Sequence, residues 1–307
     1  MKMIRKNLPA YIILILMVAI VALIITACSS EPTTVTDRMG NEVVLPEQVN
    51  SIISTSPANT EILVALGMGD KIVAVDKYSE GITGLNAEVV LIDFMNPDAE
   101  TIVSLNPDII IASEINTLGG SDPFAVLKEA GIPVVYQPLT DSIQGIYDDI
   151  SFIAEITGST EKAEVLIAGM QEEIAKYQEI SAGITEKKRV YFEISPAPDL
   201  FTIGKGSYLQ EMLEIVGVDN VFADLGKGTA ISSEAVLEAN PEIILTNVNY
   251  IDNPVEEIKS REGWDSITAV AQDQVYYIDS NTSSRATHNI VKALKEIAET
   301  VYPEFYE

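Results

Sequence analysis

The sequence is poor in the side chains that most often bind metals or form cross-links. Among its 307 residues are one cysteine, Cys28, and one histidine, His288. No intrachain disulfide can form from a single cysteine, so the fold must depend on packing. One histidine excludes a zinc or manganese site built from three imidazoles, although a single axial bond to haem iron or cobalt remains open. We expect His288 to be an exposed residue at the start of a helix and predict no metal site.

Basic residues are also scarce. Lys and Arg total 19 against 46 Asp and Glu, which gives a formal net charge of −27. A surface this acidic repels the phosphate backbone of nucleic acids and anionic lipid headgroups. We therefore expect no nucleic-acid partner, whereas a local positive charge inside a ligand pocket stays compatible with this composition.

The sequence lacks the motifs of the common catalytic sites. It has no Gly-x-Ser-x-Gly elbow, and Cys28 and His288 are its only thiol and its only imidazole base. The segment Gly204-Lys205-Gly206-Ser207 has neither the full phosphate-binding loop nor the dinucleotide pattern, so it predicts a tight turn before a helix. We expect no catalytic residues and no enzymatic activity.

The first 27 residues have the pattern of a targeting segment. Three cationic residues precede the apolar run 10–25, which at sixteen residues is short for a membrane span of about 20. The run ends at Thr26-Ala27-Cys28, which resembles the lipobox of bacterial lipoproteins. The resemblance predicts a signal peptide over 1–27, a lipid on Cys28, and an extracytoplasmic protein held to a membrane; a transmembrane anchor with an incidental cysteine is the alternative. Residues 28–48 are then the lipidated cysteine and its tether.

Strands and helices alternate through the rest of the chain, which predicts α/β lobes with mainly parallel sheets. The exception is 159–180, where apolar residues recur at steps of three and four, as in one amphipathic helix. At 1.5 Å per residue this helix is about 33 Å long, and it could be a crossover within one domain or a brace between two. We divide the chain into a first lobe at 49–158, a connecting helix at 159–181 and a second lobe at 182–307.

The two halves share an internal repeat, which favours the brace. Residues 100–111 align without a gap with 234–245, and each segment places an Asn-Pro turn between a helix and an apolar strand. Residues 61–74 and 211–223 form a second pair, in which a glycine stops a helix before a strand. The order of these segments is the same in both halves. A chance likeness of helix, turn and strand is the alternative to two related lobes.

With this layout, residues 49–79 resemble the opening of the substrate-binding proteins of ABC importers that carry vitamin B12, ferric siderophores and haem. The likeness continues through 100–112, 202–224, 232–245 and 263–279. It implies two α/β lobes joined by one rigid helix, with a ligand cleft between them. It also implies a monomer without a cofactor of its own, which delivers a ligand containing cobalt or iron to a permease dimer with its ATPase subunits. A surface adhesin or passive lipoprotein is the remote alternative.

Two glutamates occupy the positions that dock on permease arginines in that family. Glu100 and Glu234 lie at the same point of the repeat, as a partner with two-fold symmetry requires. A glutamate in the first turn of a helix also interacts favourably with the helix dipole, by about 0.3–1 kcal/mol, so docking is not the only reason for its presence. Both roles are compatible.

The candidate ligand contacts are mostly aromatic and polar residues that follow predicted strands. Residues 56–61 and 78–79 resemble the vitamin B12-binding member; in that member a Trp stands at the position of Phe94 and an Arg-Ala-Ser at 285–287. The likeness ends at His288-Asn289. An Arg in this loop also occurs in siderophore binders, and it could be a solvated loop charge. We rank a corrinoid slightly before a ferric siderophore, and haem third. Trp264 is predicted to lie in the core rather than on a ligand. The predicted ligand contacts are Ser56, Tyr78, Phe94, Asn116, Tyr136, Phe201, Tyr250 and Arg285.

Overall fold

The computed structural model describes residues 33–306, so the predicted signal peptide at 1–27 and Cys28 lie outside the described residues. The described chain forms two α/β lobes, each built around its own sheet. This confirms the predicted fold class.

The first lobe contains a sheet of five parallel strands in the order β5-β4-β3-β6-β7. Helices cover both faces of such a sheet, which is why a strand such as Ile109–Ser113 is buried along its whole length. The strands are β3 (Ile52–Ser54), β4 (Ile72–Asp76), β5 (Val90–Ile92), β6 (Ile109–Ser113) and β7 (Val134–Gln137). The helices are α1 (Pro57–Ala65), α2 (Ala99–Ser104), α3 (Ala125–Glu129) and α4 (Ile143–Thr157).

The second lobe contains a sheet in the order β11-β9-β8-β12-β13, with β10 also paired to β8. The strands β8, β10, β12 and β13 are parallel, whereas β9 and β11 are antiparallel additions of two residues each. The strands are β8 (Arg189–Ser195), β9 (Phe201–Thr202), β10 (Asp219–Asn220), β11 (Thr229–Ala230), β12 (Ile243–Thr246) and β13 (Val275–Tyr277). The helices are α6 (Tyr208–Val216), α7 (Ser233–Ala239), α8 (Pro254–Lys259), α9 (Thr268–Ala271), α10 (Ser280–Ser283), α11 (Ile290–Val301) and α12 (Pro303–Tyr306).

The connecting helix α5 (Thr160–Ser181) has 22 residues and lies between the lobes. Gly158 precedes it in the left-handed conformation and ends α4, and three apolar residues of α5, Ala163, Met170 and Ile174, are buried. The helix packs against α4 of the first lobe and against α6 and α11 of the second. It is therefore the predicted brace.

The internal repeat is visible in the backbone. Asn106 and Asn240, which precede the two repeated prolines, have φ of 47° and 42°. Gly67 and Gly217, which follow the repeated helices α1 and α6, have φ of 74° and 86°. Left-handed residues at the same points of both lobes confirm that the halves are built alike.

The predicted tether at 28–48 is wrong in its described part. Residues 34–44 contain an antiparallel pair of strands, β1 (Thr34–Thr36) and β2 (Glu42–Val44). The turn between them is fixed to the first lobe, because Asp37 Oδ2 accepts a hydrogen bond from Tyr136 N at 2.9 Å and Arg38 Nε donates to Asp149 Oδ1 at 2.9 Å. These buried polar contacts make the hairpin part of the lobe.

Two smaller predictions concern the second lobe, and one of them is confirmed in full. Trp264 is fully buried, and its Nε1 donates to Ser233 Oγ at 2.6 Å, so it belongs to the core. The segment 204–207 leads into helix α6 as predicted, but Lys205 forms a bridge with Gly226 instead of lying in a tight turn, and Gly204 packs so closely that a Cβ there would lie 2.2 Å from Leu225 O. Ser207 Oγ then accepts from Leu209 N and caps α6.

Candidate ligand-binding site

A cleft of about 350 Å³ lies between the lobes. Its first-lobe wall is formed where the five parallel strands end, because the loops after β3, β4, β5, β6 and β7 all contribute to it. Ligands of open α/β sheets bind at this carboxyl edge. The second lobe contributes the start of α6 and the loop before α11. The lining residues are Thr55, Ser56, Pro57, Ala58, Asn59, Ile62, Asp76, Tyr78, Phe94, Ser113, Ile115, Gln137, Pro138, Leu139, Thr140, Asp149, Tyr208, Ser284, Arg285 and Ala286.

Four of the predicted ligand contacts meet in this cleft: Ser56, Tyr78, Phe94 and Arg285. The rings of Tyr78 and Phe94 lie edge to face, with centroids 6.0 Å apart and an interplanar angle of 61°. The Tyr78 side chain is 59% exposed, so much of its apolar surface is available to a ligand. Ser56 caps α1, where its Oγ accepts from Asn59 N at 3.3 Å.

Gln137 was not predicted from the sequence, yet it lines the cleft and its amide oxygen is an unpaired acceptor among the described residues. Its Nε2 donates to Asp149 O at 3.2 Å, whereas its Oε1 is buried and has no hydrogen-bond partner within residues 33–306. A buried acceptor without a partner costs free energy, so a ligand N–H or O–H placed here would stabilise the complex. The position of Gln137 at the end of β7 is the signal that could have identified it.

Two other lining residues that were not predicted from the sequence form hydrogen bonds within the first lobe. Asn59 Nδ2 donates to Ala112 O at 3.2 Å, and Asp76 Oδ1 accepts from Tyr78 N at 2.8 Å. Burial raises the pKa of Asp76, while hydrogen bonds, foremost from Ser79, act in the opposite direction. Asp76 therefore fixes the turn that carries Tyr78.

Arg285 reaches from the second lobe to the first. Its Nη1 donates to Glu61 Oε1 at 2.5 Å, and its Nη2 lies 3.5 Å from Tyr78 O. Thr287 Oγ1 and Asn289 Nδ2 also donate to Glu61 Oε2, at 2.9 Å and 2.8 Å. The guanidinium is thus engaged in a contact between the lobes at the edge of the cleft, which replaces the interpretation of a solvated loop charge.

Asn116 and Tyr136 lie behind the cleft wall, so the prediction that they line the cleft is corrected. Asn116 is buried, and its Oδ1 accepts from Thr55 Oγ1 and Ser113 N, both at 2.8 Å, while its Nδ2 donates to Phe94 O at 2.9 Å. These bonds position the loop that carries Phe94. Tyr136 is buried in the first lobe.

The Tyr136 hydroxyl is likewise engaged within the lobe. It donates to Asp122 Oδ1 at 2.6 Å, and burial, followed by the Asp122 carboxylate, raises the pKa of Tyr136. Its phenol is therefore a structural donor rather than a ligand contact.

Phe201 and Tyr250 are not brought to the cleft lining. Phe201 lies in β9, paired with Ala230 and Ser195, and Tyr250 follows β12 with its hydroxyl 3.3 Å from Ser195 Oγ. Both residues lie near strand ends of the second lobe, outside the cavity. Neither residue is therefore part of the proposed cleft, and the Tyr250→Ala variant described in the Discussion tests whether Tyr250 contacts the ligand.

The prediction of an exposed His288 is wrong. His288 precedes α11 as expected, but it is half-buried, and its Nδ1 has no hydrogen-bond partner in the part of the chain that the structure describes. It lines a second, polar pocket of about 420 Å³ on the other side of the Glu61–Arg285 contact. The imidazole therefore does not line the cleft.

His288 is expected to make the protein less stable in mild acid. Burial, assisted by Lys292, lowers the pKa of His288 below 6.5, while Glu61 acts in the opposite direction. As the pH falls, the histidine of the unfolded chain therefore binds a proton at a higher pH than that of the folded chain. The free energy of unfolding decreases as the pH falls from 6.5 through the folded pKa, by at most about 1.4 kcal/mol per pH unit.

Urea unfolding between pH 7.5 and pH 5 measures this loss. Because the chain has one histidine, the His288→Gln variant isolates its titration. The wild type should lose more stability than the variant over this range, and parallel curves would contradict the assignment.

Glu100 and Glu234 are exposed in the first turns of α2 and α7. The two helices begin alike, because the side chain of Asp98 accepts from Glu100 N and that of Ser232 accepts from Ala235 N, both at 3.2 Å. A hydrogen bond from its own backbone N–H and one from Ser232 lower the pKa of Glu234. Neither glutamate forms an ion pair within the described chain, so both carboxylates face solvent.

Residues 33–306 contain no helix that is both long and apolar enough to cross a membrane. The same residues contain no group of three His, Cys, Asp or Glu side chains placed to hold a metal ion.

The family model of the periplasmic binding proteins matches residues 52–282, from the start of β3 in the first lobe to helix α10 in the second. The chain belongs to this family. The match spans both lobes and the helix between them, as the resemblance predicted.

The relatives agree with this assignment. The chain is 32% identical to the ABC transporter substrate-binding lipoprotein YvrC of Bacillus subtilis, over 90% of this chain and 87% of YvrC. It is 25% identical to the vitamin B12-binding protein of Vibrio parahaemolyticus, over 82% and 90% of the two chains. Among solved structures, a possible iron-binding, periplasmic solute-binding protein of Staphylococcus epidermidis superposes with a TM-score of 0.75 at 29% identity, over 83% of this chain and all of that one.

These relatives fix the class of function. The chain is an extracytoplasmic substrate-binding protein of an ABC transporter, and proteins of this class work with a permease and its ATPase. It is a binding protein and not an enzyme, as predicted.

Proposed function

We propose that the protein captures a corrinoid in the cleft between its lobes and delivers it to an ABC permease. The observation that carries this proposal is a mainly apolar cleft in which the one basic side chain, Arg285, is already paired with Glu61. The exposed ring of Tyr78 and the half-buried ring of Phe94 offer a flat macrocycle the apolar contact that it requires.

The charge of the cleft favours a neutral ligand. Besides Arg285, its charged lining residues are Asp76 and Asp149, and Asp149 is paired with Arg38. Haem carries two carboxylates, and desolvating them without an opposite charge is costly. The periphery of a corrin carries uncharged amides, whose N–H groups match the buried acceptor of Gln137, which is unpaired within residues 33–306.

Haem, which the sequence ranked third, becomes the second candidate because one observation favours it. Tyr78 presents an exposed phenol at the cleft, and a tyrosine can ligate haem iron. A ferric siderophore, which the sequence resemblance also allows, would bring its own iron to the same apolar wall.

Two further parts of the proposal concern delivery. The exposed, repeat-related Glu100 and Glu234 dock on the two halves of the permease, and the lipid on Cys28 keeps the protein at the membrane. The description of YvrC as a lipoprotein supports the second point. Replacement of Cys28 by serine should release the protein from the membrane fraction.

Thermal unfolding in the presence of candidate ligands tests the proposed ligand. The full chain in mild detergent is heated with cyanocobalamin, cobinamide, haem or a ferric siderophore. At a concentration 100-fold above Kd, a ligand stabilises the folded state by about 2.7 kcal/mol and raises Tm by several degrees. We expect the corrinoids to give this shift. A shift with haem alone would favour the second candidate, and no shift with any chelate would overturn the proposal.

A further inference from the structure

The closest polar contact between the lobes near the cleft is centred on one carboxylate. Glu61, in α1 of the first lobe, is only 8% exposed. Within residues 33–306 its carboxylate accepts hydrogen bonds from three side chains, and all three belong to the second lobe: Arg285, Thr287 and Asn289. Asn289 directly precedes α11, so α1 of one lobe is tied to the start of the long closing helix of the other.

The internal repeat provides a counterpart to this contact. Glu211 stands six residues before the left-handed Gly217, as Glu61 stands six residues before Gly67. Its Oε2 accepts from Ile143 N at 2.8 Å, and Ile143 begins α4, the closing helix of the first lobe. Each lobe therefore extends a glutamate from its first helix to the start of the other lobe's closing helix.

The two contacts differ in charge. Glu211 accepts a backbone N–H, whereas Glu61 forms an ion pair with a guanidinium at the edge of the cleft. The side chain of Arg285 is 22% exposed, so it is not sealed from a ligand in the cleft. Without the carboxylate of Glu61, the Arg285 guanidinium would lose the one ion-pair partner that it has among the described residues.

We propose that Glu61 is a specificity-determining residue, which positions Arg285 and cancels its charge so that the cleft prefers neutral chelates over anionic ones. Glu211 joins the lobes at the equivalent position of the repeat, but it does not affect which ligand charge the cleft prefers. The inference deepens the proposed function and rests on it, because it concerns the ligand of the same cleft.

The test compares two ligands of nearly the same shape. Cyanocobalamin has no net charge, and hydrolysis of one of its side-chain amides gives a monocarboxylic acid with a net charge of minus one. Isothermal titration of the full chain in detergent gives the ratio of the two affinities. Glu61→Gln should raise the relative affinity for the acid about tenfold, because Arg285 keeps its charge in a poorly solvated site.

Two variants serve as controls. Glu211→Gln removes the related carboxylate and should leave the ratio within about twofold of the wild type, because no guanidinium is exposed by the change. Arg285→Gln should lower the relative affinity for the acid about tenfold, because the carboxylate of Glu61 loses its counter-charge. If Glu61→Gln does not fold, Arg285→Gln decides the question alone.

The ratio separates this inference from a merely structural role. A loss of affinity for both ligands with an unchanged ratio would show that Glu61 only holds the lobes together, and would overturn the proposal. An equal change in Glu211→Gln would do the same. If the wild type binds neither corrinoid, the proposed function fails. The same variants are then compared for their affinities for haem, which is anionic, and for its neutral dimethyl ester. If the ratio of these two affinities does not change, or if neither compound binds, the inference about Glu61 is overturned as well.

Discussion

Reversal of both proposed docking charges, in the double variant Glu100→Lys and Glu234→Lys, is expected to abolish ligand uptake while leaving binding intact. Both carboxylates are exposed in first helical turns, at equivalent points of two related lobes. A permease dimer that contacts both lobes would meet two repulsive pairs, and like charges at an interface cost several kcal/mol. We expect uptake by cells to fall about a hundredfold and the Kd for the ligand to stay within about twofold.

A second double variant controls for the change in net charge. Glu129 and Glu304 are also exposed, one in α3 of the first lobe and one in α12 of the second, and reversing both changes the net charge by the same four units. Cells that carry Glu129→Lys with Glu304→Lys should take up ligand normally. Equal uptake by the two double variants would contradict the docking role.

Truncation of the aromatic wall should weaken binding strongly. Tyr78→Ala and Phe94→Ala each remove a ring that lines the cleft. Loss of an aromatic contact costs about 1.5–3 kcal/mol, so Kd should rise about tenfold to a hundredfold in each variant. Isothermal titration with cyanocobalamin measures the change.

Tyr250→Ala is the matched control for these variants. Tyr250 is 66% exposed and lies outside the cavity, so its removal should change Kd by less than about twofold. A large effect of Tyr250→Ala together with wild-type affinity in Tyr78→Ala would place the ligand on the second lobe and refute the proposed cleft.

Local patterns in the sequence correctly predicted the two related lobes and the helix that connects them. The amphipathic periodicity of 159–180 identified α5 because a long helix that packs on both lobes keeps one buried side along its length. The repeated Asn-Pro and Gly signals identified the repeat because both require particular backbone angles, which the two lobes adopt at the same positions. Ser56 and Tyr78 were found because they follow strands, and strand ends form the cleft.

The parts that were missed depend on contacts distant in sequence. Strands of two residues, such as β9 and β11, are too short to show an alternating pattern. Asn116 and Tyr136 follow or end strands like the true cleft residues, and only the structure shows that their polar atoms are used within the lobe. The pairing of Glu61 with Arg285 joins positions 224 residues apart, and neither position alone predicts it.

The most direct test of the account is the position of the metal in the complex. Crystals of the protein grown with cyanocobalamin would show the cobalt by its anomalous scattering. We predict one cobalt per chain, between the lobes, in the cleft lined by Tyr78, Phe94 and Arg285. A cobalt bound on the outer surface of either lobe, or no bound cobalt at saturating ligand, would contradict the proposed cleft.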